Sequence, residues 1–235
     1  MAAALGWGAL AASSLIIGAL LGLARPWPDR VVGLVLAFGA GALISAVSFD
    51  LAEEGIRLGG GDSVAIGLAA GAVTYFLADR VIERPNVGPS AGGEGAALAL
   101  GAFLDGIPEQ MVLGIGLVTG DGVSVGLLAA IFVSNLPEAI GSATGMRSSG
   151  QSDGTILRLW IAVAAVTTLA TVVGYAIADS ASGDLQATIN GFAAGALLVM
   201  LIDSMIPAAT RKAHDLAGLA SVLGFAVAAA LSNIG

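Results

Sequence analysis

Long apolar windows separated by short polar breaks run the whole length of the chain. An α-helix needs about 20 residues to cross the hydrocarbon of a bilayer. The windows at residues 5–24, 31–53, 63–82, 95–117, 122–144, 156–178, 186–208 and 216–233 meet that length. They predict an all-α polytopic bundle of eight transmembrane helices. No soluble domain fits between them, so residues 1–235 read as a single transmembrane domain. The longest connections, Arg84 to Gly93 and Arg147 to Asp153, carry the Pro, Gly and Ser of ordinary loops. The first window lacks the charged start of a signal peptide and reads as the first span.

Composition fits that pattern: 57% of the residues are hydrophobic and 11% charged, too little charge to clothe a water-soluble globule. The 35 glycines point to helices that approach closely through small residues. Gly18 and Gly22, Gly67 and Gly71, and Gly191 and Gly195 each stand in i, i+4 register. Such stripes suit packing within a bundle and between copies, and a homodimer stays open. With no cysteine there is no disulfide, thiolate metal site or cysteine nucleophile. A net charge of −8 argues against a nucleic-acid partner.

The cations are unevenly placed. Arg25, Arg30, Arg80, Arg84, Arg147, Arg158, Arg211 and Lys212 flank the loops after odd-numbered spans, and Arg57 alone lies on the other side. The positive-inside rule then puts both termini outside the cytoplasm. The scarcity of lysine and abundance of alanine suggest a prokaryotic cell membrane. Trp7, Trp27 and Trp160 near predicted helix ends read as interfacial anchors. His214 reads as a solvated loop residue.

Two repeats give the chain an internal symmetry. Phe103-Leu104-Asp105-Gly106-Ile107-Pro108-Glu109 in the fourth span recurs as Phe132-Val133-Ser134-Asn135-Leu136-Pro137-Glu138 in the fifth. Phe38-Gly39-Ala40-Gly41-Ala42-Leu43 in the second resembles Phe192-Ala193-Ala194-Gly195-Ala196-Leu197 in the seventh. The eight-span topology makes both pairs antiparallel. This predicts three helices, a central pair and three helices (3+2+3) as inverted repeats, an arrangement typical of secondary transporters with a midplane site.

The candidate chemistry is acidic. Asp50, Asp105, Glu109, Glu138 and Asp203 lie within spans and face no cation at comparable depth. A carboxylate at the bilayer centre costs about 2.5–3.5 kcal/mol on the insertion scale, so the central acids require a hydrated or ion-filled cavity, or protons. Asp105 and Glu109 share one helix face, and Ser134, Asn135 and Glu138 repeat that geometry next door. Pro108 and Pro137 free the carbonyls of Leu104 and Val133 as further oxygen ligands. A divalent cation held by Asp105, Glu109, Ser134, Asn135 and Glu138 meets these demands. Asp50 on the outer side and Asp203 on the inner side extend an acidic path. Met111 and Met205 read as packing residues.

Asp105-Gly106-Ile107-Pro108-Glu109-Gln110 and Ser134-Asn135-Leu136-Pro137-Glu138-Ala139 resemble the His-Asn-x-Pro-Glu-Gly signature of ZIP (Zrt/Irt-like) metal transporters. The resemblance implies eight spans, outside termini, transport of a divalent cation toward the cytoplasm, and alternating access by rigid-body motion. Glu109 and Glu138 match the signature outright, whereas its histidine falls on Asp105 and its fourth-span asparagine on Gly106. In the sixth span, Thr167-Thr168-Leu169-Ala170-Thr171-Val172-Val173-Gly174 is similar to the family's Ser-Gly-x-x-Glu-Pro-x-Gly, with Thr171 in place of a glutamate that serves a second metal. One principal ion is therefore expected, as cargo and not as a cofactor. Its oxygen ligands favour manganese, magnesium, calcium or ferrous iron on chemistry, while the resemblance keeps zinc. A proton- or sodium-coupled carrier of another solute is the alternative. An intramembrane hydrolase is set aside for want of a His-Glu-x-x-His motif or a cysteine nucleophile.

Overall fold

The computed structural model describes residues 1–82, 93–119 and 125–232, and the regular structure among them is entirely helical. In chain order the helices are α1 (Ala2–Ala24), α2 (Asp29–Ser45), α3 (Glu54–Ile82), α4 (Gly93–Thr119), α5 (Val125–Ser148), α6 (Asp153–Ile177), α7 (Gly183–Met200), α8 (Ile206–Ala213) and α9 (Ala217–Ser232). Two π-helical segments, Ala46–Glu53 and Leu201–Met205, join α2 to α3 and α7 to α8 without interrupting the rods. Capping follows sequence: the Ser152 and Ser182 hydroxyls accept the Thr155 and Leu185 amides, and Asp153 and Asp184 complement the helix dipoles of α6 and α7.

The chain is a multi-pass membrane protein. Ala2–Ala24, Asp29–Val81, Gly95–Val118, Asp153–Ile177 and Gly183–Ser232 are each long and apolar enough to cross a bilayer. At 53 and 50 residues, the second and last of these are twice the length of a crossing, and each contains a reversal. The first turns at Gly60, whose φ of +82° suits glycine and sets Gly55 against Val64. The second turns at His214, exposed at the end of α8 with φ +52°.

Four helix pairs make the closest contacts, α3 with α7, α2 with α9, α1 with α5, and α4 with α6. All four are parallel. Gly67 and Gly71 press on the Thr188 and Phe192 carbonyls of α7, while Gly191 and Gly195 press reciprocally on the Val64 and Leu68 carbonyls of α3. Two of the three i, i+4 glycine pairs read from sequence thus form one two-sided seam, which any Cβ would force apart, while Gly18 and Gly22 press on the Leu136 and Ile140 carbonyls of α5. Lys212 pairs with Asp29 at 2.7 Å at one end of the α2/α9 pair, and Ser232 donates to Asp50 at 3.1 Å at the other. By contrast α4 and α5 are antiparallel: Ser142 donates to the Gly95 carbonyl at 2.6 Å, and Asn135 reaches Glu109 farther along.

The packing is inverted relative to a soluble protein. Alanines and glycines fill the core, while Leu5, Leu10, Ile17, Ile66, Leu77, Ile202 and Leu219 project outward. Small residues bring backbones together, and large aliphatic ones face the acyl chains.

Three expectations are corrected or fall outside the described residues. Trp160 is no interfacial anchor: it is fully buried against Leu15, Ala19 and Ala143, and its indole N–H has no partner. Its place near the start of α6 is still inside the bundle because α1 packs along that face. Trp27 is half-buried and donates to the Leu21 carbonyl at 2.8 Å beneath the Arg25 guanidinium. The helix after the second window continues to Gly59 before turning, with Glu54 and Arg57 paired one turn apart. Most of the connection from Arg84 to Gly93, and residues 120–124 before α5, lie outside the described residues.

Candidate metal-binding site

Asp105 and Glu109 stand one turn apart on α4, where Pro108 interrupts the hydrogen-bond ladder; Ser134, Asn135 and Glu138 occupy the facing stretch of α5 around Pro137. All five are buried, Glu138 completely, in helices whose other faces carry apolar residues. The antiparallel crossing sets Asn135 level with Glu109, and its amide hydrogen-bonds that carboxyl. It also sets Glu138 level with Gly101: a Cβ there would lie 3.3 Å from Glu138 Oε1. Asp105 lies between these two levels. The Ser134 hydroxyl donates to the Ile131 carbonyl at 3.0 Å, leaving its oxygen lone pairs free to ligate.

Both oxygens of Asp105, both of Glu138 and Oε2 of Glu109 are buried without a hydrogen-bond partner. Each carboxyl lies in the field of another: Asp105 feels Glu138, Glu109 feels Asp105, and Glu138 feels Glu109. Buried ionised carboxylates without partners cost several kcal/mol each, so a cation or protons must accompany them. The donor set suits a hard divalent ion. Among the described residues, however, no three acids or histidines stand together closely enough to hold a metal as they are. Enclosing an ion requires the carboxyl rotamers or the two helices to draw in.

The outer acids lie apart from this cluster. Asp50, in the first π segment, is half-buried, and its charge acts on Glu109. Asp203, in the second, is exposed, and its charge acts together with those of Asp79 and Glu138 on the Tyr75 hydroxyl. Met205 is a packing residue of the core, as expected.

Sequence reasoning passed over Gln110 and Asn190. The buried Gln110 side chain accepts from Thr171 Oγ1 at 2.5 Å and donates to the Gly8 carbonyl at 3.4 Å, tying α4 to α6 and α1. Thr171 is thereby engaged with protein. Asn190 on α7 is fully buried with neither amide atom partnered. The signal for both was an uncharged amide inside a transmembrane window, as costly as an acid if left unpaired. Gly122-Val123-Ser124-Val125-Gly126 has the spelling of a nucleophile elbow, and residues 120–124 lie outside the described residues. A cleft between α4 and α6 is lined by Ala99, Leu100, Phe103 and Val163 and contains none of the acids.

No protein-family model matches the chain. Over 189 residues, 77% of its length, it is 30% identical to an Arabidopsis thaliana protein named "Putative zinc transporter". The chain is a distant homologue of that protein. The name of that relative agrees with the motif resemblance on α4 and α5. The chain spans 30% of the relative's length.

Proposed function

We propose that this protein carries a divalent metal cation across the cell membrane toward the cytoplasm, bound in transit by Asp105, Glu109 and Glu138 with Ser134 and Asn135. The observation that carries the reading is the set of buried, unpartnered carboxylate oxygens on two facing proline-interrupted helices. Homology to a protein named as a zinc transporter supports a metal as cargo. Gln110 occupying the Thr171 hydroxyl supports one ion rather than two.

Eight crossings in a 3+2+3 inverted repeat are the architecture of this reading, and the helix pairing supports it. The reversals at Gly60 and His214 divide the two long stretches into four crossings. Exchanging α1, α2 and α3 with α6, the α7–α8 rod and α9, and α4 with α5, carries the α1/α5 pair onto α6/α4 and the α3/α7 pair onto α9/α2. In that topology the described cations other than Arg57 gather at one end, the cytoplasmic face, with both termini opposite. Asp50 and Asp203 then flank the site from outside and inside.

Uptake into liposomes from a panel of zinc, manganese, ferrous iron, cadmium, magnesium and calcium tests the function. At least one ion is expected to accumulate and to be lost in Glu109→Ala/Glu138→Ala. Protons and metal compete for the same carboxylates, so uptake falls as external pH drops. If no divalent ion moves and a sodium or proton gradient drives another solute, the cargo assignment is wrong.

A further inference from the structure

The helices fall into two groups. The first, α1, α4, α5 and α6, holds the candidate site and is tied internally by Gln110 to Gly8 and Thr171, by Ser142 to Gly95, and by Arg147 to the Leu23 carbonyl at 2.8 Å. The second, α2, α3, α7, α8 and α9, is tied internally by Ser63 to Asp184, Lys212 to Asp29, and Ser232 to Asp50. One described hydrogen bond departs from this pattern. The fully buried Tyr75 on α3 donates its phenolic hydrogen to the Ala97 carbonyl of α4 at 3.1 Å, from the second group to the first. The same hydroxyl lies 3.4 Å from Ser204 Oγ in the second π segment.

The position of Tyr75 gives that bond a consequence. Its hydroxyl is within electrostatic reach of Glu138, a candidate ligand, and also of Asp79 and Asp203 on the far side. Ala97 begins the helix that carries Asp105 and Glu109. The ring therefore stands between the candidate site and the acids toward the end occupied by Lys212 and Arg147. We propose that Tyr75 is the latch of the cytoplasmic gate: its hydroxyl bond to Ala97 holds the two helix groups together on that side, and breaking it opens the route from Glu138 to Asp203. The inference rests on the transport reading for what passes through the gate, but not for the latch itself.

The test uses the absence of native cysteine. Ala97→Cys is labelled by a membrane-impermeant maleimide applied to right-side-out and inside-out vesicles, with and without Tyr75→Phe. Loss of one buried hydrogen bond corresponds to about a fivefold shift between closed and open populations. Labelling about fivefold faster from the Lys212 face, and unchanged from the other, is the expected result. Unchanged labelling, or equal acceleration from both faces, overturns the latch. Should Tyr75→Phe not fold, Tyr75→Met, which also lacks the hydroxyl, tests the same bond, with the same acceleration on the same face expected and no acceleration overturning it. Divalent uptake by the same variants separates the two readings. Faster labelling without any divalent transport leaves the latch and removes the cargo, whereas normal transport with unchanged labelling does the reverse.

Discussion

Contacts inside the two helix groups include backbone seams that the contacts between them lack. Inside the groups many glycines press on backbone, as Gly195 on the Leu68 carbonyl, Gly41 on Ser221 and Gly114 on Thr171, while Gly8 and Gly106 meet the Thr171 and Thr167 side chains. Between the groups they meet side chains: Gly39 meets Pro137, Gly101 meets Met200, and Gly141 meets Leu36. A backbone seam has one register, because neither partner can yield, whereas a side-chain contact can change rotamer and slide. The groups thus meet along side-chain contacts, and the candidate carboxylates sit in one group beside that surface. On the transport reading proposed above, such a surface is where alternating access would take place.

The largest effect should follow from breaking a seam. Gly195→Val places a branched side chain against the α3 backbone; overpacking of this kind costs about 1–3 kcal/mol or more, and the variant is expected to lose its monodisperse elution and its thermal transition. Gly61→Ala, which meets nothing within 4 Å, should leave both unchanged. A smaller loss is expected for Gln110→Ala, which strands the buried Thr171 hydroxyl within the first group. Leaving one buried hydroxyl unsatisfied costs about 1–3 kcal/mol, read as a lower thermal midpoint. If Gln110→Ala left stability unchanged, the first group would be less tightly tied than its hydrogen bonds indicate.

Smallest of all should be Trp160→Phe. The indole N–H is buried without a partner, so removing it offsets much of the lost packing. The net change is expected to stay within about 1 kcal/mol, well below the about 3–5 kcal/mol common for truncating a buried tryptophan to alanine. A thermal melt of Trp160→Phe beside Trp160→Ala checks this.

What was legible in the sequence was whatever is expensive in a membrane. Asp105, Glu109 and Glu138 are conspicuous because an acid in an apolar window demands a reason, and the paired prolines place that reason on two neighbouring helices. The i, i+4 glycines likewise announced close backbones, and the structure pairs Gly67 and Gly71 with Gly191 and Gly195. What stayed hidden depends on partners distant in sequence. Nothing local says that Gln110 meets Thr171 and Gly8, that Tyr75 reaches Ala97, or that Trp160 is covered by α1. The turn at Gly60 was obscured because Gly59, Gly60 and Gly61 are alike in sequence and only one of them takes positive φ. The π segments around Asp50 and Asp203 leave no mark in hydropathy, since a π turn alters hydrogen-bond register without altering composition.

The central claim is that the buried carboxylates of α4 and α5 hold a divalent cation. Equilibrium dialysis of purified protein against zinc and, separately, manganese measures this without requiring transport. The account predicts about one ion per chain for at least one metal, released as pH falls and lost in Glu109→Gln/Glu138→Gln with the fold retained. A folded double variant that binds as much metal as the unaltered protein would contradict it.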